Sequence, residues 1–479
     1  MRKILLATVA TMGVTLAMSG GAKAQPVKPV EPGTLVVHFN GYFQFMLGDE
    51  GSSYNTITTP ATTTAPATTF KLNPVSTIGD FRLYPGFDAQ TVDGLEYGVA
   101  TDIRTGFSDG GVAQGGKITP VTTTTTTSTS VSTLKGTAVT TTTTSTSTST
   151  TTNSSLSSLY VKRAYGYIGT PDYGFVRFGQ TDSAFTLLQA GVIEAFGDGG
   201  QWTLEGGQAL MFPSGAAPAG SNQFIYADQT PVYGTDKVVY ISPAFAGINA
   251  VVGYEPNSNG LKEGYNSCTA AGSTCAALAA SPSASDVGKR RKNTVDVGVQ
   301  YLAAIDDVKL KASADYLTGS PVAYDGPTPA TVSAVNFGFD NLNVYQLGGQ
   351  ATFAGLTVGA NIKGGQVEDG YTFKPKGGRD ALAYIFGASY VIGPYVVGLS
   401  YFNSQSSGAY FPTSKGIART LSEYGIAAGA NYVISPNLSL FTQYMYGHRH
   451  QPGNKALTLV TPAGNTQVQG IAVGATMKW

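Results

Sequence analysis

The chain has 479 residues, only 12% of them charged, with 29 basic and 29 acidic side chains, 61 glycines and 27 tyrosines. That balance offers no basic surface for a nucleic acid, and beyond the first two dozen residues there is no apolar run of helical-span length. What remains is a series of tyrosine- and glycine-rich segments of about ten residues with alternating polarity, the pattern of a transmembrane β-barrel or of a secreted all-β sandwich array.

Residues 1–24 read as a signal peptide: Arg2 and Lys3, an apolar run from Ile4 to Met18, then Ala22-Lys23-Ala24 as the cleavage pattern. The mature chain is expected to begin at Gln25, with 25–34 as a short N-terminal segment and 35–479 as one β-domain. Loss of Arg2, Lys3 and Lys23 leaves the exported chain mildly acidic.

The first segment sets the pattern. Leu35, Val37, Phe39, Phe43, Phe45 and Leu47 fall on one face, and His38, Asn40, Tyr42 and Gln44 on the other. Strand side chains alternate, so this places apolar groups against lipid and hydrogen-bonding groups toward a wet interior. Strands are expected at 35–47, 79–90, 94–106, 156–170, 172–180, 234–242, 246–256, 294–304, 308–319, 342–353, 355–366, 380–392, 395–405, 422–435, 437–449 and 466–479. That is an even count of sixteen, which puts both chain ends on one side of a membrane. Short links such as Thr91-Val92-Asp93, Asp306-Asp307 and Gly393-Pro394 alternate with long ones, so the short turns are expected to face the periplasm and the long loops the exterior. The fold class that follows is all-β: a 16-stranded antiparallel transmembrane barrel whose third long loop folds inward. Residues 223–229, QFIYADQ, could form a further strand, but a seventeenth would break the alternation, and they are assigned to the end of the third loop. The last segment holds Ile471, Val473, Ala475 and Met477 on one face and runs into Trp479, whose ring suits a membrane interface.

Three long links stand out. The external loop 107–155 is almost pure threonine and serine from Thr119 to Ser155, open to being a solvated loop, a glycosylated tract or a local hairpin. The fourth loop holds the only two cysteines, Cys268 and Cys275, which in an oxidising exterior are expected to form a small disulfide loop, since no neighbouring histidine completes a metal-ligand set. The basic run Lys289-Arg290-Arg291-Lys292 below it is read as part of an interfacial collar. The third loop, 181–222, carries Phe185, Leu187, Leu188, Val192, Ile193 and Phe196, which a surface loop has little reason to gather. Folded into the barrel, it would pack these on the wall and turn Asp182, Glu194, Asp198 and Glu205 toward a channel. Nearby strands place Asp80, Arg82, Tyr84 and Asp88 on one inner face and Glu96, Asp102 and Arg104 on the next. Of the adjacent Lys162 and Arg163 only one can point inward, and Arg163, which shares a face with Tyr165 and Tyr167, is the one expected there, with Arg177 on the strand beyond.

The stretches LYVKRAYGYIGTPDYGFVRFGQTDSAF, VVYISPAFAGINAVVGY and VGATMKW, taken in that order, resemble the Gram-negative general porin family of outer-membrane proteins, in its alphaproteobacterial style, over essentially Gly33 to Trp479. The resemblance implies a homotrimer of 16-stranded barrels in outer-membrane lipid and lipopolysaccharide. Each barrel would be a water-filled diffusion pore for ions and small hydrophilic solutes, narrowed by its third loop. By position, Arg82, Arg104, Arg163 and Arg177 would form a basic wall opposite Asp182, Glu194 and Asp198 on the constriction loop. The chain departs from the family in ending on Trp479 where phenylalanine is usual, and in placing the threonine tract where the second loop latches neighbouring subunits. A substrate-specific channel and a structural or adhesive barrel with a blocked lumen are the competing readings. An enzyme is not expected: His38, His448 and His450 are the only histidines, and no serine-centred elbow accompanies them. No cofactor is implied.

Overall fold

The structure is a computed structural model describing residues 32–52, 56–59, 68–71, 74–108, 124–134, 137–147, 159–202, 235–257, 291–321, 340–367, 373–374, 376–409, 419–451 and 464–479. The signal segment, residues 223–229, Cys268 and Cys275 lie outside the described residues.

Sixteen strands close into one antiparallel barrel. They are β1 (Leu35–Ser52), β2 (Val75–Gln90), β3 (Glu96–Ser108), β4 (Tyr160–Thr170), β5 (Gly174–Thr181), β6 (Thr235–Ile241), β7 (Ile248–Asn257) and β8 (Arg291–Ile305). They continue as β9 (Val308–Pro321), β10 (Leu342–Phe353), β11 (Leu356–Gln366), β12 (Ala381–Ile392), β13 (Tyr395–Ala409), β14 (Arg419–Ser435), β15 (Leu438–Gln451) and β16 (Gly464–Lys478). Each of the sixteen expected segments is a wall strand. Several run further than expected at their long-loop ends, as β1 does through Asp49–Ser52, paired with β16 up to Ser52↔Val468. The lipid-facing alternation stops there because these residues are polar, but main-chain pairing continues.

The alternation resolves as expected from strand geometry. Val37, Phe39, Leu399 and Ile471 point outward, more than half exposed on the surface that lipid covers, while Gln44, Asp102, Gln346 and Gln443 are buried inside. Closure is made by β1 and β16 in register from Tyr42↔Lys478. It is completed by a reciprocal pair, Gly41 N–H to Trp479 O (3.0 Å) and Trp479 N–H to Gly41 O (3.2 Å). The indole lies on Gly41, where an added Cβ would come within 2.0 Å of the ring, and its centroid is 5.9 Å from that of Phe81. The terminal aromatic is thus seated on the outer surface of the seam.

The turns follow local chemistry. Thr91 caps the β2–β3 turn, its Oγ1 accepting from Leu95 N–H at 3.0 Å. The β10–β11 turn places both Ala354 (φ 48) and Gly355 (φ 83) in the left-handed region, as a tight hairpin with the twist of its strands requires. Pro85 interrupts the β2–β3 ladder, and Thr101 Oγ1 donates to the Pro85 carbonyl at 2.7 Å in compensation.

Among the described residues, two small antiparallel pairs are separate from the barrel sheet: Thr56–Thr59 with Thr68–Lys71, and Thr124–Leu134 with Thr137–Ser147. The threonine tract therefore takes the hairpin option, eleven residues pairing from Thr124↔Ser147 to Leu134↔Thr137, as threonine's β-preference favours once two runs can pair. The basic collar is corrected in part. Arg291 turns inward at the start of β8 and pairs with Glu255 of β7 at 3.0 Å, leaving Lys292 exposed.

Candidate functional site

The described part of the third loop, as far as Trp202, packs against the inner wall of the barrel. Immediately after β5, Asp182 accepts a hydrogen bond from Arg163 Nε at 2.7 Å, and a single helical turn, Ala184–Leu187, redirects the chain along the inner wall. From there the segment to Trp202 is packed in three places. Leu187 and Leu188 meet Val239, Ile241 and Val251. Phe185 packs with Leu317, Leu342, Val344, Val367 and Phe373. Phe196 and Trp202 pack with Ile385, Phe402, Ala427 and Met445, with Val192 against the same cluster. The Trp202 ring meets Phe402 edge-on at 4.6 Å, and its Nε1 donates to Ser400 Oγ at 3.2 Å. The apolar residues of 181–222 that lie in the described part thus find an inner wall, as their composition demands.

An irregular backbone inside a barrel also needs hydrogen-bond partners. The wall supplies them as side chains on β8 to β11, β14, β15 and β1. Asp296 accepts from Ala184 N–H (2.5 Å), Gln346 donates to Phe185 O (3.1 Å), Gln300 to Leu188 O (2.9 Å) and Lys311 to Gln189 O (2.8 Å). Asn361 donates to Ala190 O (2.8 Å) and Asn431 to Gly197 O (2.7 Å). Gln443 accepts from Asp198 N–H (2.9 Å), and Gln44 of β1 donates to Asp198 O (2.9 Å). The anchors step round the barrel from β8 to β15 and on to β1. Close approach is possible because the wall carries glycine beneath the segment: a Cβ at Gly387 would lie 2.7 Å from Ile193, and one at Gly398 would lie 2.1 Å from the Phe196 ring.

The remaining arc, β2 to β5, carries the four arginines. Arg82 is directly opposite Arg104 in the β2–β3 register, a repulsive juxtaposition relieved by one aspartate each. Asp80 lies against Arg82. Asp102 accepts from Arg104 Nε (2.8 Å) and Nη2 (2.6 Å) and also from Arg163 Nη1 (2.7 Å). Tyrosines complete the surface, with Arg82 over the Tyr42 ring and Arg177 over the Tyr165 ring, each at 5.0 Å. Asp88 accepts from the Tyr167 hydroxyl and lies 3.6 Å from His38.

Of the seven candidate site residues, Arg82, Arg104, Arg163 and Arg177 stand on β2 to β5, and Asp182, Glu194 and Asp198 on the inserted segment. Asp182 touches Arg163 directly. Asp198, beside Gln44, accepts from Gly200 N–H and Gln201 Nε2 (3.0 Å each). Glu194 is half-buried, with Trp202 N–H 3.4 Å from its carboxylate, and burial followed by the neighbouring Asp198 pushes its carboxyl up to about 7. Of the amide anchors, the sequence alternation places Gln44 on an inner face, but it does not mark out Gln300, Gln346, Asn361, Asn431 or Gln443. Their signal is an amide on the inner face of strand after strand.

A closed barrel with an apolar exterior, a polar and charged interior and an inserted loop defines a transmembrane channel. The sequence model of the Gram-negative porin family matches residues 7–451, and the chain belongs to that family. It is a passive channel and a multi-pass β-barrel of the outer membrane. No curated protein sequence matches the chain. Among solved structures it is similar to an anion-selective porin from Comamonas acidovorans (13% identity, 93% of this chain, 100% of that one, TM-score 0.49). It is also similar to the trimer form of OmpT, an outer membrane protein of Vibrio cholerae (12% identity, 93% and 99%, TM-score 0.44), and to a variant porin of Rh. blastica (12% identity, 93% and 100%, TM-score 0.41).

Proposed function

We propose that the barrel is a general diffusion pore for ions and small hydrophilic solutes, assembled as a homotrimer. In this reading Arg82, Arg104, Arg163 and Arg177 line one side of the constriction, and Asp182, Glu194 and Asp198 belong to the segment that narrows it. The observation that carries the reading is the anchoring of residues 184–198 to side chains of the wall, from Asp296 of β8 round to Gln44 of β1. A segment held along the wall narrows a lumen, and the charged arc beside it discriminates by field rather than by a fitted pocket.

Liposome swelling with uncharged sugars of increasing size tests this. A general pore gives rates that fall smoothly with solute size and rise linearly with concentration. One solute that passes anomalously fast and saturates would replace the reading with a substrate-specific channel.

A further inference from the structure

We propose that Phe373 and Lys374, which lie between β11 and β12, form a second positioning element for the constriction, with Phe373 as a wedge and Lys374 as a clamp. This rests on the reading of residues 181–202 as the constricting segment.

Phe373 is buried, and it packs in one cluster with Phe185, the second residue of the helical turn that sends the third loop into the lumen. The cluster is completed by Leu317, Leu342, Val344 and Val367 from β9, β10 and the residue just past β11. Phe185 is thus held between the wall and a side chain that arrives from another loop. Nothing in the main-chain ladder of the barrel requires that contact.

Lys374 fixes where the wedge sits. Its ammonium is 2.9 Å from Asp340 Oδ2 and 2.8 Å from Asp380 Oδ1, and it donates to Gly378 O at 3.0 Å, so three acceptors surround a side chain only 7% exposed. Asp340 N–H also donates to Lys374 O at 3.0 Å. The two carboxylates stand just before β10 and β12, which makes the lysine a tie between two strand starts and the intervening loop. Asp340 and Asp380 are 25% and 60% exposed at their side chains, so water can solvate them when the lysine is replaced. Replacement should therefore free the wedge without leaving buried charge in the wall. The strands themselves keep full ladders, β10 with β11 from Asn343↔Gln366 to Phe353↔Leu356, and β11 with β12 from Leu356↔Tyr390 to Gly365↔Ala381.

Single-channel recording of the full chain in planar bilayers, beside a measurement of barrel heat resistance, tests the assignment with Lys374→Met, Lys374→Arg and Phe373→Leu. Lys374→Met and Phe373→Leu should each raise open-channel current variance by roughly twofold or more and lower the voltage at which channels close, because the constricting segment gains local freedom. Lys374→Arg, which can still bridge both carboxylates, should stay near wild type, and heat resistance should be unchanged in all three. Wild-type noise and closing voltage in both Lys374→Met and Phe373→Leu would overturn the inference and leave the pore reading intact. Loss of heat resistance alongside the noise would also overturn it, since the pair would then serve the whole barrel. A wild-type protein that does not conduct would overturn the pore reading itself.

Discussion

Asp182 accepts the Arg163 guanidinium at 2.7 Å, and Arg163 simultaneously donates to Asp102 at 2.7 Å. One side chain therefore joins the root of the inserted loop to the arginine-bearing wall. The lumenal charges are arranged as a paired network, in which Arg82, Arg104 and Arg163 each contact an aspartate. In a narrow polar passage such a network leaves a local field whose sign depends on each pair being complete.

Removing one cation from that network should alter selectivity. Arg82→Ala and Arg104→Ala leave Asp80 and Asp102 with one cation fewer, so the reversal potential should move toward cation preference, on the order of 5–10 mV in a tenfold salt gradient. Bi-ionic or gradient reversal measurements check this. No movement in either variant would remove both residues from the ion path.

The glycine groove can be tested by filling it. At Gly398 an added Cβ would lie 2.1 Å from the Phe196 ring, against a wall that cannot retreat. Gly398→Val should displace the inserted segment at a cost of about 1–3 kcal/mol and change unitary conductance. An unaltered conductance would show that Phe196 does not fix the loop.

Glu194 gives the loop a pH dependence. Its carboxyl, raised to about 7 by burial and then by Asp198, faces Trp202 N–H and lies within electrostatic reach of Lys363. The docked loop binds a proton that a released, solvated glutamate would give up near its ordinary value of 4.5. Docking is therefore strongest below that value and weakens as pH rises toward 7. Open-channel noise should increase across that window in the wild type and stay flat in Glu194→Gln. A wild-type profile that is itself flat would contradict the sign.

The barrel seam should tolerate one change and reject another. Trp479→Phe keeps a ring over Gly41 and should assemble normally, whereas Gly41→Val puts atoms where the indole sits, 2.0 Å from an ideal Cβ, and should cut the yield of heat-resistant barrel several-fold. Normal assembly of Gly41→Val would mean that the ring's seat is dispensable.

Much of this was legible in advance, for a definite reason. A lipid-facing strand must alternate, so β1 and β16 announce themselves through Val37, Phe39 and Phe45 or Ile471, Val473 and Met477, and sixteen such segments separated by alternating short and long links leave few other folds. The apolar residues around Phe185 and Phe196 likewise implied a loop with somewhere to pack. What a single strand does not disclose is which of its inner polar residues carries an inserted loop and which merely meets water. Gln346 and Asn431 look like any lumen-lining amide until the carbonyls of Phe185 and Gly197 are seen against them. The pairing of Arg163 with Asp182 was hidden for a related reason, because register across β3, β4 and the loop root decides contact.

The most direct measurement is the current through purified, folded protein in a planar bilayer. The account predicts stepwise, ohmic conductance in groups of three, with no saturable block by any single sugar, phosphate or amino acid. Correctly folded, heat-resistant protein that inserts and carries no current would contradict it.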